Sequence, residues 1–283
     1  MKTHAYHYLL PFAFLAILLA GCRGGTKKTA ENDIRFDSIQ VDKAYHLLDN
    51  PNNPNCNLQI NFVYPAGGLD KATLEKIQHQ FVAAYFGEKY ETLPPREAVA
   101  RYTDDYIADY KELEDDFKKE LAEEGEAGVG AWYSYYEMSE NDIAYNQNDL
   151  LSYTVSMESY TGGAHGAHAR VNHVVDLKTG KLITEEDIFV ENYQDNLAQI
   201  LIDEIAKDNN VENPKELENM GFFSVDEIFP NGNFLIDEEG ITYTFNEYEI
   251  AAYVVGATLV RLPYEKIGYL LKKDSPISHL FDN

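Results

Sequence analysis

The stretch 150-LLSYTVSMESYTGGAHGAHARVNHVVDLKTGK-181 holds two period-two segments joined by a glycine-rich connection. Leu151, Tyr153, Val155 and Met157 alternate with Ser152, Thr154, Ser156 and Glu158, which predicts a strand with one buried face. Val171, His173, Val175 and Leu177 share one side of a second strand. Tyr160-Thr161-Gly162-Gly163-Ala164-His165-Gly166 lies between them, and Asp176-Leu177-Lys178-Thr179-Gly180-Lys181 supplies the next turn. Neighbouring strands with short connections predict antiparallel sheet.

Upstream, Ile34 to Leu48 and Leu58 to Tyr64 favour strand, separated by the turn chemistry of Asn50-Pro51-Asn52-Asn53-Pro54-Asn55. Leu58, Ile60 and Phe62 share a face. Asp70 caps a helix with Leu74, Ile77, Phe81 and Tyr85 on its apolar side, closed by Gly87. Val99, Tyr102, Tyr106, Tyr110, Leu113, Phe117 and Leu121 then recur at helical spacing, predicting one long helix between Pro94-Pro95 and Gly125. Its other face, with Asp105, Asp109, Glu112, Asp116 and Lys119, reads as solvated. Trp132 to Met138 reads as an aromatic strand.

Downstream, Thr184-Glu185-Glu186-Asp187 and Ser224-Val225-Asp226-Glu227 both resemble capping boxes. Between them Tyr193, Leu197, Ile200, Leu201 and Ile205 mark an amphipathic helix. Strands follow near Phe234 to Asp237, Ile241 to Asn246 and Thr258 to Leu262, then a helix from Tyr264 to Leu271. Irregular alternation of helices with hairpin-like strands predicts an α+β fold, antiparallel sheets packed with helices in two linked subdomains, 34–160 and 161–283.

The 283 residues open with Lys2 and His4, then an uncharged apolar run from Leu9 to Ala20. That run is of signal-peptide length and too short to span a bilayer, which takes about 20 apolar residues. Leu19-Ala20-Gly21-Cys22 resembles a bacterial lipobox. The expectation is a signal peptide over 1–21, a lipid on Cys22 and a polar tether over 22–33. The protein would then be anchored rather than spanning, in the cell envelope, facing the periplasm from the outer membrane. The net charge of −25 argues against nucleic acid and favours cationic partners. Cys56, the other cysteine, reads as a buried inert thiol.

Two groups of motifs carry a resemblance. Tyr160 to Gly166, Val175 to Lys181 and Asp187-Ile188-Phe189 resemble the start of a bacterial domain of unknown function. Ile241-Thr242-Tyr243-Thr244-Phe245-Asn246, Tyr248-Glu249-Ile250, Tyr253, Gly256 and Val260-Arg261-Leu262-Pro263-Tyr264 resemble its distal part. That domain forms the extracytoplasmic region of lysozyme-sensing anti-sigma factors of the RsiV type. Residues 35 to 160 are similar to the accessory domain that precedes it there and in peptidoglycan deacetylases of the PdaC type. Gly166 and Ala252 depart from the pattern, which has proline at both places. The resemblance implies an envelope binding module. The relatives' signalling and deacetylase activities reside in segments without a counterpart in this sequence, so neither activity transfers.

Candidate chemistry is sparse. Gly162 and Gly163 with His165 and His168 form the one histidine-bearing loop, with His173 and Asp176 nearby. On a strand, His168 and His173 face opposite sides, and His168 lies about 26 Å from Asp176 at the usual rise. Only His165 and His168 can meet. The expectation is a structural loop in which His165 bonds backbone; the alternative is a metal-dependent envelope hydrolase. Trp132, Tyr133, Tyr135 and Tyr136 form a candidate aromatic binding surface, or else packing between sheet and helix. Gly-x-Ser-x-Gly, Walker-type, His-Glu-x-x-His and dinucleotide motifs do not occur. No cofactor and no catalytic residue is expected. The functional expectation is a non-enzymatic module that binds a cationic, muramidase-like protein or cell-wall glycan, with a structural accessory of an envelope complex as a further alternative.

Overall fold

A computed structural model describes residues 31–125 and 131–281. The expected leader, Cys22 and most of the tether lie outside the described residues.

The first strand, β1 (Arg35–His46), pairs antiparallel with β2 (Asn55–Gly67) across the Asn-Pro turn. Leu58, Ile60, Phe62 and Tyr64 alternate to one side of β2 and are buried. Helix α1 (Lys71–Phe86) starts as expected, with the Asp70 carboxylate accepting from the Ala72 and Thr73 backbone N–H groups, and it stops at Gly87. Ile77, Phe81 and Phe86 on α1, with Ala98 and Val99 on α2 (Pro95–Lys111), close over that side of the sheet.

The expected single long helix is two. After α2 the chain tightens: Glu112 and Leu113 N–H bond three residues back, to the Asp109 and Tyr110 carbonyls. Helix α3 (Glu114–Glu124) then follows. Its first residue sets the break, because the Glu114 carboxylate accepts from Tyr45 Oη at 2.7 Å and Leu48 N at 3.1 Å. Phe117 on α3 joins Leu47, Cys56, Tyr110 and Tyr133 in a satellite core.

The chain returns at β3 (Tyr135–Gln147), which runs parallel to β2. The antiparallel expectation therefore fails at this pair, for a physical reason. The intervening helices carry the chain back across the sheet face, so β3 starts beside the start of β2. The expected strand from Trp132 also begins later, since Ala131–Tyr133 is a 3₁₀ turn.

Strands β4 (Leu150–Tyr160), β5 (Ala167–Asp176) and β6 (Lys181–Leu182) continue antiparallel, giving one six-stranded sheet in the order β1 to β6. This sheet crosses the subdomain boundary expected at 160/161, because β5 hydrogen-bonds to β4 before it and β6 then adds to β5. The expectation of one buried face on β4 is also incomplete. Leu151, Tyr153 and Val155 face the helices, but Leu150 and Ser152 are buried as well. They face the C-terminal subdomain, where Leu150 and Val174 join a second core.

That subdomain begins with α4 (Glu185–Ile188), for which the expected capping box between Thr184 and Asp187 forms. Helix α5 (Gln194–Asp208) presents Leu197, Leu201 and Ile205 to the core. The second expected box forms no side-chain cap; Val225–Glu227 is a single 3₁₀ turn. Strands β7 (Phe234–Ile236), β8 (Gly240–Phe245) and β9 (Thr258–Pro263) form a separate antiparallel sheet, followed by the short helix α6 (Tyr264–Ile267). Glu185 ties this core together, accepting from Tyr193 Oη at 2.7 Å, Tyr243 Oη at 2.9 Å and Gly232 N at 2.9 Å.

Two features of the joint give measurable consequences. Ser152 Oγ is wholly buried and donates to the Ile236 carbonyl at 2.7 Å. Ser152→Ala should cost about 1–3 kcal/mol in urea unfolding, because that carbonyl keeps no partner from β4. His173 is largely buried against Tyr153, and burial lowers its pKa from 6.5 to about 4. Above pH 6.5 both folded and unfolded rings are neutral. Between pH 6.5 and about 4 the unfolded ring takes a proton that the folded ring does not. Stability should therefore fall with pH across that window by up to about 3 kcal/mol. Melting His173→Phe alongside the parent should remove that component of the slope.

The open sheet face and its histidine–tyrosine rim

Cross-strand registration builds the site. Residues directly opposite one another project to the same face. One row across five strands is Asp42, Gln59, Met138, Glu158 and His168. The next is Gln40, Asn61, Glu140, Ser156 and Arg170, through the same pairings. A third, shorter row holds Asn57, Tyr136 and Tyr160. All point away from α1 and α2. The two five-residue rows line an open groove of about 720 Å³. The C-terminal subdomain covers the β4–β6 end of this face and leaves the rest bare.

The junction is made by side-chain amides. Asn246 Oδ1 accepts from Arg170 N at 2.7 Å, and Asn233 Oδ1 accepts from Asn172 N at 2.8 Å. Asn233 and Asn246 also donate Nδ2 to the Arg170 carbonyl. Two asparagines thus satisfy the free edge of β5 as a further strand would. Deeper in, Asn172 bridges Thr154 and Thr244, with its amide nitrogen donating at 2.9 Å to Thr244 Oγ1.

The glycine loop ends at this junction. Gly162 has φ +88, and a Cβ there would sit 3.0 Å from the Trp132 carbonyl, so two constraints favour glycine. Tyr160 Oη donates to the Gly163 carbonyl at 2.9 Å. His165 does bond backbone, as expected: Nδ1 donates to the Gly166 carbonyl at 2.7 Å. A carbonyl only accepts, so the neutral ring keeps Nε2 free to accept from Tyr248 Oη, 3.2 Å away. His165 also stacks on Tyr253, with centroids 4.1 Å apart. His168 lies 6.2 Å from the same tyrosine ring, and its Nδ1 donates to Glu247 at 3.2 Å. Its Nε2 stands 3.9 Å from Glu158. Glu158 in turn accepts from Tyr136 Oη at 2.9 Å, a bond that raises the Tyr136 pKa.

His165 and His168 therefore share Tyr253, but they do not assemble a metal site. Among the described residues no three His, Cys, Asp or Glu side chains are placed to hold a metal ion. Asp176 bonds Lys178 N and Thr179 Oγ1 in its own turn instead. The four candidate aromatics do not form one surface. Tyr133 is buried against Phe117, and Tyr135 packs on Tyr110. Trp132 is exposed on the turn. Tyr136 alone reaches the open face, beside Tyr160. Glu158, Glu247, Tyr248 and Tyr253 escaped the sequence reading as site residues. The two tyrosines lie within the distal motif, but nothing local tells that a left-handed turn at Tyr248 (φ +66) folds them back onto the loop.

Fold and face define an α+β module of two parts. Residues 50–168 match the family described as deacetylase PdaC, and residues 186–265 match the family described as protein of unknown function, DUF3298. A solved DUF3298 family member from Bacteroides fragilis is 33% identical, with a TM-score of 0.84 over 90% of this chain and 100% of that one. The chain belongs to the DUF3298 family. A DUF3298 protein from Pseudomonas aeruginosa shares the fold at 13% identity, with a TM-score of 0.55 over 85% of this chain and 96% of that one. No functionally curated protein matches.

The rim makes a spectroscopic prediction. Tyr253→Ser should move the His165 and His168 ring protons downfield in NMR spectra by removing the stacked ring. It should cost less than about 1.5 kcal/mol of stability, the scale of one aromatic pair.

Proposed function

We propose that this protein is a lipid-anchored, non-enzymatic binding module of the bacterial envelope, and that it takes its ligand on the open sheet face. The observation that carries this reading is the face itself: polar side chains from five strands, uncovered, beside a rim of histidines and tyrosines. The ligand classes are a cationic, muramidase-like protein and cell-wall glycan. The charge of −25 favours the first, and the hydrogen-bonding side chains suit the second.

The anchor on Cys22 gives the face an orientation. Asn32 is bolted to the β3–β4 turn, donating to Asn146 Oδ1 and the Leu150 carbonyl and accepting from Asp149 N. The glycine loop lies at the other end of β4, about 33 Å away at the usual strand rise. A short tether therefore holds the turn near the bilayer and directs the rim outward.

Two measurements test the reading. Metabolic labelling with a palmitate analogue should mark the full chain in its envelope and should fail on Cys22→Ser; label retained by the variant contradicts the anchor. Residues 31–283 mixed with lysozyme and with muropeptides at moderate salt should bind at least one of them. Silence in both contradicts the binding role.

A further inference from the structure

The open face has a composition and a repeat that narrow its ligand. Neighbouring strands stand about 4.8 Å apart, so each row offers one side chain per strand at that spacing. That is close to the length of one pyranose in an extended, equatorially linked glycan. Such a chain lying across the strands meets a fresh polar group at every strand, and a pair on four of the five: Asp42 and Gln40 on β1, Gln59 and Asn61 on β2, Glu140 beside the exposed Met138 on β3, Glu158 and Ser156 on β4, His168 and Arg170 on β5. Amide and carboxylate groups bond sugar hydroxyls as donors and acceptors. A peptide running across the strands would repeat at about 3.3 Å per residue and fall out of step with the rows.

The flanking row adds an aromatic surface. Tyr136 and Tyr160 are half-buried and nearly parallel, with centroids 6.2 Å apart. Their hydroxyls are engaged, by Glu158 and by the Gly163 carbonyl, so the rings are held in place. A fixed ring beside a row of hydrogen-bonding groups suits the apolar flank of a sugar.

Charge selects among glycans. Asp42, Glu140 and Arg170 make no side-chain hydrogen bond or ion pair among the described residues. Carboxylates on β1, β3 and β4 outnumber the lone arginine on β5, and Glu247 adds another at the rim. An uncharged or anionic glycan would leave them unmatched, whereas free amines along the sugar chain would not.

We infer that the open face binds an extended amino-sugar glycan with free amines, lying across β1 to β5. This rests on the binding role proposed above. The probes are a glucosamine hexamer, an N-acetylglucosamine hexamer and lysozyme, each titrated calorimetrically into residues 31–283 at moderate salt. The free-amine hexamer should bind roughly tenfold more tightly than the acetylated one, the combined effect expected of several exposed ion pairs. Asp42→Asn with Glu140→Gln should abolish that preference without shifting the melting temperature, since both side chains are exposed. Glu97→Gln, on the exposed side of α2, should leave it intact. Lysozyme binding with both hexamers silent overturns the glycan assignment while leaving the binding role standing. Silence of all three overturns both. Equal binding of the two hexamers, or a preference that survives the double variant, overturns the charge selection.

Discussion

The structure depends on how β4 and β5 are shared. Alternate side chains of these two strands enter different cores: Leu151, Tyr153 and Val175 pack under the helices, while Leu150 and Val174 pack with β7 to β9. A strand buried on both faces must have every side chain matched, and a one-residue slip would exchange the two sets. Ser152 and Asn172 sit at this seam as buried polar groups, and both are paired across it. Asn233 and Asn246 then complete the edge of β5 with side-chain amides rather than a strand. The two parts of the protein are joined by this shared sheet, not by a linker.

That arrangement also creates the open face. The C-terminal subdomain covers one end of the sheet only. Toward Tyr160 and Ala167 the same strands run on uncovered, so side chains that would be core further down become polar. The transition is visible along one face of β4 itself, from buried Leu150 and Ser152 to half-exposed Glu158. The rim forms where the subdomain stops, and its parts come from both sides of the seam: His165 and His168 from the glycine loop and β5, Glu247, Tyr248 and Tyr253 from beyond β8. Loss of the joint would take the rim with it, because each half carries only part of it.

Much of this was legible locally. Asp70, Thr184 and Gly87 announced helix ends because capping is a contact between near neighbours. Strands β2, β4 and β5 followed from period two, and His165 bonding its own loop followed from the geometry of a glycine turn. What the sequence concealed was non-local. The break between α2 and α3 is set by Tyr45 and Leu48 reaching Glu114, sixty-odd positions away. The parallel pairing of β2 with β3 depends on where three helices return the chain. The aromatic run Trp132 to Tyr136 looked like one surface because its residues are adjacent, yet a 3₁₀ turn sends Tyr133 inward and leaves only Tyr136 on the face. The two rows of polar groups could not be read at all, since they exist only once five strands are in register.

The central claim is that the ligand sits on the open face and not on the helical one. The most direct measurement is to block each in turn. Cys56 is buried, so a single new cysteine can carry a bulky thiol-reactive group, at Gln59 on the open face or at Glu97 on α2. Capture of lysozyme and of the glucosamine hexamer is then compared with unlabelled protein. The structure predicts that the group at Gln59 abolishes capture of whichever probe binds and that the group at Glu97 leaves it unchanged. Capture that survives at Gln59 and is lost at Glu97 would contradict the account.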